Sequence, residues 1–164
     1  MPQYRKRLRL ANFDYGQAGT YFITVCVKDR KCILGTIPPN VGADVHISPQ
    51  VELSHYGKVV EKYIQQIYGL DKYVIMPNHI HLIVRIDGPM ETSAPTSSIP
   101  NTIKSFKTRV HKDLGFPLFQ RSYHDHIIRD EEKYREIWRY VDENPLRWEL
   151  DRYYEENLDK PIPS

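Results

Sequence analysis

The pattern of apolar and polar positions changes period several times along the chain, and each change marks an expected element. "TYFITVCVKD" (20–29) is rich in β-branched and aromatic residues and predicts a strand, with "DRKCILG" turning into a second one. "TIPPNVGADVHISPQVEL" carries Pro, Gly and Asn and predicts a loop or insertion. In "SHYGKVVEKYIQQIYGL" the apolar residues Tyr56, Val59, Val60, Tyr63, Ile64 and Ile67 recur at helical spacing, with Ser54 as cap and Gly69 as stop. "KYVIMPNHIHLIVRI" returns to strand character, and Pro77 predicts a bulge or kink within it. The small, polar stretch 87–100 predicts a mobile loop.

"NTIKSFKTRVHKDLG" then predicts a basic amphipathic helix with the stripe Ile103, Phe106, Val110 and Leu114. "HDHIIRD" predicts a short edge strand. "DEEKYREIWRYVDENP" predicts a helix capped by Asp130, with acids in its first turn and Pro145 as its stop. The expected fold is an α+β sandwich: an antiparallel sheet flanked by helices, in one domain spanning residues 1–164.

Composition narrows the function classes only where charge is clustered. Net charge is +2, but "YRKRLRL" (4–10) is basic without an acid, while "DENPLRWELDRYYEENLD" is acid-rich. That predicts a basic N-terminal arm (1–12), facing either phosphate or solvent, and an acidic C-terminal tail (149–164). Cys26 and Cys32 form no framework and fit a reduced, cytoplasmic compartment, and no stretch reads as a signal or membrane span. The 12 tyrosines are many for this length, and tyrosine serves as core filler, as a stacking surface and, more rarely, as a nucleophile.

On a strand, residues two apart share a face, so His79, His81, Ile83 and Arg85 project together while Ile80, Leu82, Val84 and Ile86 face the core. Two imidazoles on one face make half of a divalent-metal site; two structural histidines satisfied by backbone are the competing reading. His124 and His126 repeat the His-x-His pattern, and a four-histidine site is a further alternative. In the last helix Tyr134, Ile137, Trp138 and Val141 form the apolar stripe, with Tyr140 off its middle and Asn144 one turn later. A tyrosine nucleophile and a neutral oxygen ligand at one ion would account for that pair. So would a boundary tyrosine and a helix-end residue, displaced from helical geometry by Pro145.

Taken in order, "YVIMPNHIHLIV", "SIPNTIKSFKTRV" and "PLFQRSYHDHIIRDEEKYREIWRYVDENPLRW" resemble the single-tyrosine HUH transposases of the IS200-like superfamily. The group associated with repeated extragenic palindromes (REP) matches best, and "YFITVCVKDRKCILG" resembles its first hairpin. The resemblance implies a ferredoxin-like sheet and a bacterial, nucleoid-associated enzyme that cleaves and rejoins single-stranded hairpin DNA. It implies Tyr140 as the nucleophile forming a 5′-phosphotyrosine, and His79, His81 and Asn144 as ligands of Mg²⁺ or Mn²⁺. Insertion-sequence relatives carry glutamine where this chain has Asn144. DNA-contacting roles then fall to Arg5, Lys6, Arg7 and Arg9 of the arm, to Arg85, and to Lys104, Lys107 and Arg109 of the basic helix. Tyr123 is a rival nucleophile without an amide four positions on. The competing functions are a hairpin-binding module with reduced catalysis and an unrelated four-histidine metal hydrolase. Monomer and homodimer both remain open.

Overall fold

The structure, a computed structural model, describes residues 18–37, 50–86 and 98–148. The basic arm with Arg5, Lys6, Arg7 and Arg9, most of the 36–53 loop, the 87–97 stretch and the acidic tail lie outside the described residues.

Strand β1 (Gly19–Cys26) alternates Tyr21, Ile23 and Val25 on one face with Phe22, Thr24 and Cys26 on the other. It pairs with β5 (His79–Ile86) on one side and β6 (His124–Ile128) on the other, and β4 (Leu70–Ile75) adds to β5. Among the described residues these four make an antiparallel sheet in the order β4-β5-β1-β6. With helix α1 (His55–Ile64) between β1 and β4, and α2 (Ile99–Leu114) between β5 and β6, the chain follows the ferredoxin-like β-α-β-β-α-β path. Helix α3 (Glu131–Glu143) follows β6. The expected α+β sheet with flanking helices is what the chain forms.

Two expectations change. The run 72–86 is two strands: Met76 N–H donates to His79 C=O at 2.8 Å, so Pro77 and Asn78 occupy a hairpin turn. Pro presets the turn and Asn tolerates it, so this pair reverses the chain instead of bending one strand. The irregularity in register lies between Leu70 and Lys72 instead. Near it Gly69 has φ +82°, and a Cβ there would sit 2.0 Å from the Arg85 carbonyl oxygen. The first hairpin does not form either. Gly35–Thr36 (β2) pairs with Glu52–Leu53 (β3) in a separate small ribbon, and β1 takes β5 and β6 as neighbours. Long-range pairing of this kind leaves no local signal.

The two sheet faces are filled differently. Helices α1 and α2 cover Tyr21, Ile23, Val25, Ile80, Leu82, Val84 and Ile86 with Val60, Ile64, Ile99, Ile103, Phe106 and Val110, a contiguous apolar core. Ser54 caps α1, Ser98 caps α2 ahead of Pro100, and Asp130 caps α3 through its bond from Lys133 N–H at 2.7 Å. Helix α2 thus starts two residues earlier than expected, because proline is accepted in a first helical turn. The other face packs Ile83 and Ile128 against Ile137 and Val141 of α3, with Phe22, Val74 and Tyr134 at the margin. Trp138, expected in that stripe, is 41% exposed and stacks under Lys72 Nζ at 3.6 Å. Lys72 is itself paired with Asp142.

Candidate active site

Pairing register sets the site. Opposed residues in an antiparallel pair share a face, so Val74, His81, Thr24 and His124 form one row across the sheet. Lys72, Ile83, Phe22 and His126 form the next. Helix α3 runs back along β5 over this face: Tyr134 meets Arg85, Ile137 and Val141 pack with Ile83, and Tyr140 meets His81. Just past the helix, Trp148 reaches His79, with ring centroids 6.0 Å apart.

His79 and His81 are buried, and their Nε2 atoms face each other at 3.1 Å. Each ring is anchored from behind. His79 Nδ1 lies 2.8 Å from Asn78 Oδ1, and His81 Nδ1 lies 2.8 Å from Thr24 Oγ1. Phe22 stacks on His81 at 5.2 Å, and the Tyr140 ring meets the same imidazole edge-on at 5.4 Å. Tyr140 is 42% exposed, so one side of its ring rests on the histidine cluster while solvent reaches it from outside.

Asn144 has φ −56° and ψ −43°, a helical conformation in spite of Pro145, and so it keeps the one-turn relation to Tyr140. It is 2% exposed, and its Oδ1 has no hydrogen-bond partner among the described residues. A buried carbonyl oxygen left unsatisfied is costly and calls for an explanation. Two imidazole nitrogens bound at right angles to one ion at about 2.1 Å would lie about 3.0 Å apart, close to the spacing here. The anchored Nδ1 atoms and the facing Nε2 pair suit a divalent cation, and the orphan amide oxygen one turn past Tyr140 is a donor of suitable chemistry. The C-terminal end of α3 adds partial negative charge nearby. Among the described residues no group of three His, Cys, Asp or Glu could hold an ion, so a third protein donor would have to be of another kind, such as an amide.

The remaining candidates separate by position. His124 shares the face of His81 but stands two strands away, roughly 10 Å at the strand spacing, so the four-histidine site is not assembled. Tyr123 is buried in the core under α1 and α2, with Lys107 over its ring, away from the histidine face. Tyr134 donates its hydroxyl to Asp71, and that bond, with burial adding, raises its pKa, which leaves it a poor nucleophile. Arg85 lies on the histidine face but at its far end, over the Tyr134 ring and 3.9 Å from Asp71. Lys104, Lys107 and Arg109 sit on α2, behind the sheet as seen from the histidines. Lys107 Nζ donates to the carbonyls of Gln120, Arg121 and Ser122, so it holds the approach to β6. Arg109 bonds Gln66.

Sequence reasoning missed Thr24 and Asn78. Asn78 stands next to His79 and could have been suspected from adjacency, whereas Thr24 is brought to His81 only by strand register. Both cysteines are buried thiols, and among the described residues no helix is long and apolar enough to cross a membrane.

No protein-family model matches the chain. An uncharacterized protein of Haemophilus influenzae is 32% identical over 177 aligned positions, covering 92% of this chain and 93% of the relative. Among solved structures, a REP-associated tyrosine transposase bound to a REP hairpin superposes with a TM-score of 0.59 at 15% identity, covering 95% of this chain and 94% of that one. The chain belongs to one family with the Haemophilus influenzae protein, and it shares its fold with the REP-associated tyrosine transposase.

Proposed function

We propose that this protein cleaves and rejoins single-stranded hairpin DNA, with Tyr140 as nucleophile and with His79, His81 and Asn144 holding Mg²⁺ or Mn²⁺. The observation that carries this reading is the contact of Tyr140 with His81 within one chain, beside the facing Nε2 pair. The hairpin bound to the solved transposase of the same fold supports the choice of substrate.

Tyr140 Oη would attack a phosphodiester phosphorus, the bond to the 3′ oxygen would break, and the tyrosyl proton would pass to solvent. The released 3′ oxygen takes up a proton as a hydroxyl. One phosphodiester is exchanged for another, so rejoining by the reverse attack needs no nucleotide. A bound divalent ion would polarise the scissile phosphate and stabilise charge on its oxygens, which helps a nucleophile as weak as a phenol. Phe22 and His81 fix the Tyr140 ring by edge contacts, limiting the directions its hydroxyl can take. The nucleophile and the histidines belong to one chain, which favours a site complete in a monomer.

Arg85 is the described cation that best suits a phosphate contact, because it shares the histidine face. Lys104 and Arg109 would meet only DNA that continues around the sheet edge, and the arm residues Arg5, Lys6, Arg7 and Arg9 remain part of the proposal. The test is a denaturing gel of labelled hairpin DNA incubated with protein and Mn²⁺. A covalent adduct in wild type and none in Tyr140→Phe is the expected result. An adduct that persists in Tyr140→Phe sinks the assignment, and binding without any adduct in wild type leaves the hairpin-binding module instead.

A further inference from the structure

We infer that Asn78 is a positioning residue that sets which nitrogen of His79 carries the proton, and so presents Nε2 as a lone pair. This rests on reading His79 as a metal ligand only for its consequence, not for its geometry.

Asn78 is 1% exposed and bonded on several sides. Its side-chain Nδ2 donates to the Arg30 carbonyl at 3.4 Å, its Oδ1 faces His79 Nδ1 at 2.8 Å, and its own carbonyl accepts from Val27 N–H at 2.9 Å. A backbone carbonyl accepts and cannot donate, so the amide must turn its NH₂ toward Arg30 and its oxygen toward the imidazole. An oxygen facing Nδ1 requires the proton to be there, and a neutral ring protonated at Nδ1 has its lone pair on Nε2.

The segment that supplies this carbonyl is held in an unusual backbone shape. Asp29 and Arg30 have φ of 58° and 52°, the left-handed region that side chains other than glycine rarely take. Leu34 N–H bonds the Pro77 carbonyl at 3.0 Å, so the segment wraps the hairpin turn on both sides of Arg30. Thr24 is the contrast. A hydroxyl donates or accepts, so it holds the His81 ring in place without choosing its tautomer. One histidine is dictated and the other is adaptable. Two rings that both pointed a proton inward would clash at 3.1 Å.

The test needs neither DNA nor activity. Long-range ¹H–¹⁵N spectra of metal-free, ¹⁵N-labelled protein at alkaline pH report the tautomer of each histidine. Wild type is expected to show His79 protonated at Nδ1. Asn78→Ala should populate the Nε2-protonated form, and Asn78→Asp, which keeps an acceptor, should restore the wild-type pattern. In parallel, calorimetric titration with Mn²⁺ should weaken by about 10- to 100-fold in Asn78→Ala, as for other partners of metal-bound histidines, and by much less in Asn78→Asp. A wild-type His79 protonated at Nε2 overturns the inference without any variant, which covers the case of an unfolded mutant. An unchanged tautomer in Asn78→Ala overturns it too. If wild type shows the expected tautomer but binds no Mn²⁺, the metal reading fails while the role of Asn78 stands.

Discussion

The two faces of the sheet carry the same strands and do opposite work. Toward α1 and α2, Tyr21, Ile23 and Val25 of β1 and Ile80, Leu82, Val84 and Ile86 of β5 are apolar and fully or nearly buried, and the helices close over them. Toward α3 the same strands present Thr24, His79 and His81, also buried, beside Ile83, which joins Ile128 of β6 under Ile137 and Val141 with Phe22 and Val74 at the margin. Among the described residues a single helix covers that second face, and the tyrosine at its margin is left half in solvent. Alternation along a strand lets one face supply stability while the other holds polar groups that a core would not tolerate without partners.

Several changes would break or sharpen that contrast. Tyr140→Phe is expected to have the largest effect on function, abolishing the adduct while leaving the thermal midpoint near wild type, because the residue is 42% exposed. Leu82→Ala, on the opposite face of the same strand, should cost about 2–5 kcal/mol in urea unfolding, with activity falling only as the protein unfolds. If Leu82→Ala were mild and Tyr140→Phe unfolded the chain, the division of labour between the faces would be wrong. Lys107→Met should cost on the order of 1–3 kcal/mol, since it removes a charged donor from the carbonyls of residues 120–122. If its main effect were instead a shallower salt dependence of DNA binding, Lys107 would belong with the phosphate contacts.

Asn144→Ala sharpens the contrast further. Its Oδ1 is buried with no hydrogen bond among the described residues, so removing it should leave stability within about 1 kcal/mol of wild type while Mn²⁺ affinity falls. A large loss of stability with unchanged Mn²⁺ binding would make it a purely structural amide. The smallest effect concerns His111, whose Nε2 accepts from Phe119 N–H and whose pKa is lowered by burial and then by Lys107. The unfolded chain therefore takes up this proton first as pH falls. Its contribution is complete above the ordinary histidine value of about 6.5 and is lost as pH drops through the lower folded value. Between pH 7.5 and 5.5, wild type should lose more stability than His111→Gln, as followed by denaturant midpoints at each pH.

Local patterns carried much of this. The helical stripes of α1 and α2, the caps at Ser54 and Asp130, and the shared face of His79, His81, Ile83 and Arg85 are legible because period and capping depend on neighbours in the chain. Pro77 was visible as a disruption, but whether it bends one strand or separates two depends on what each half pairs with. The expected hairpin after β1 failed for the same reason.

By itself, the sequence determined which residues can do chemistry and which of them share a face. It set His79 with His81, and Tyr140 with Asn144, since both relations lie within one element. Tertiary structure alone decided that Tyr140 meets His81, that His124 and His126 stand apart, and that Lys107 is committed to backbone carbonyls. It also brought Thr24 and Asn78 behind the imidazoles. Those outcomes depend on strand register and on which face a helix covers, and both are set by contacts between residues distant in the chain.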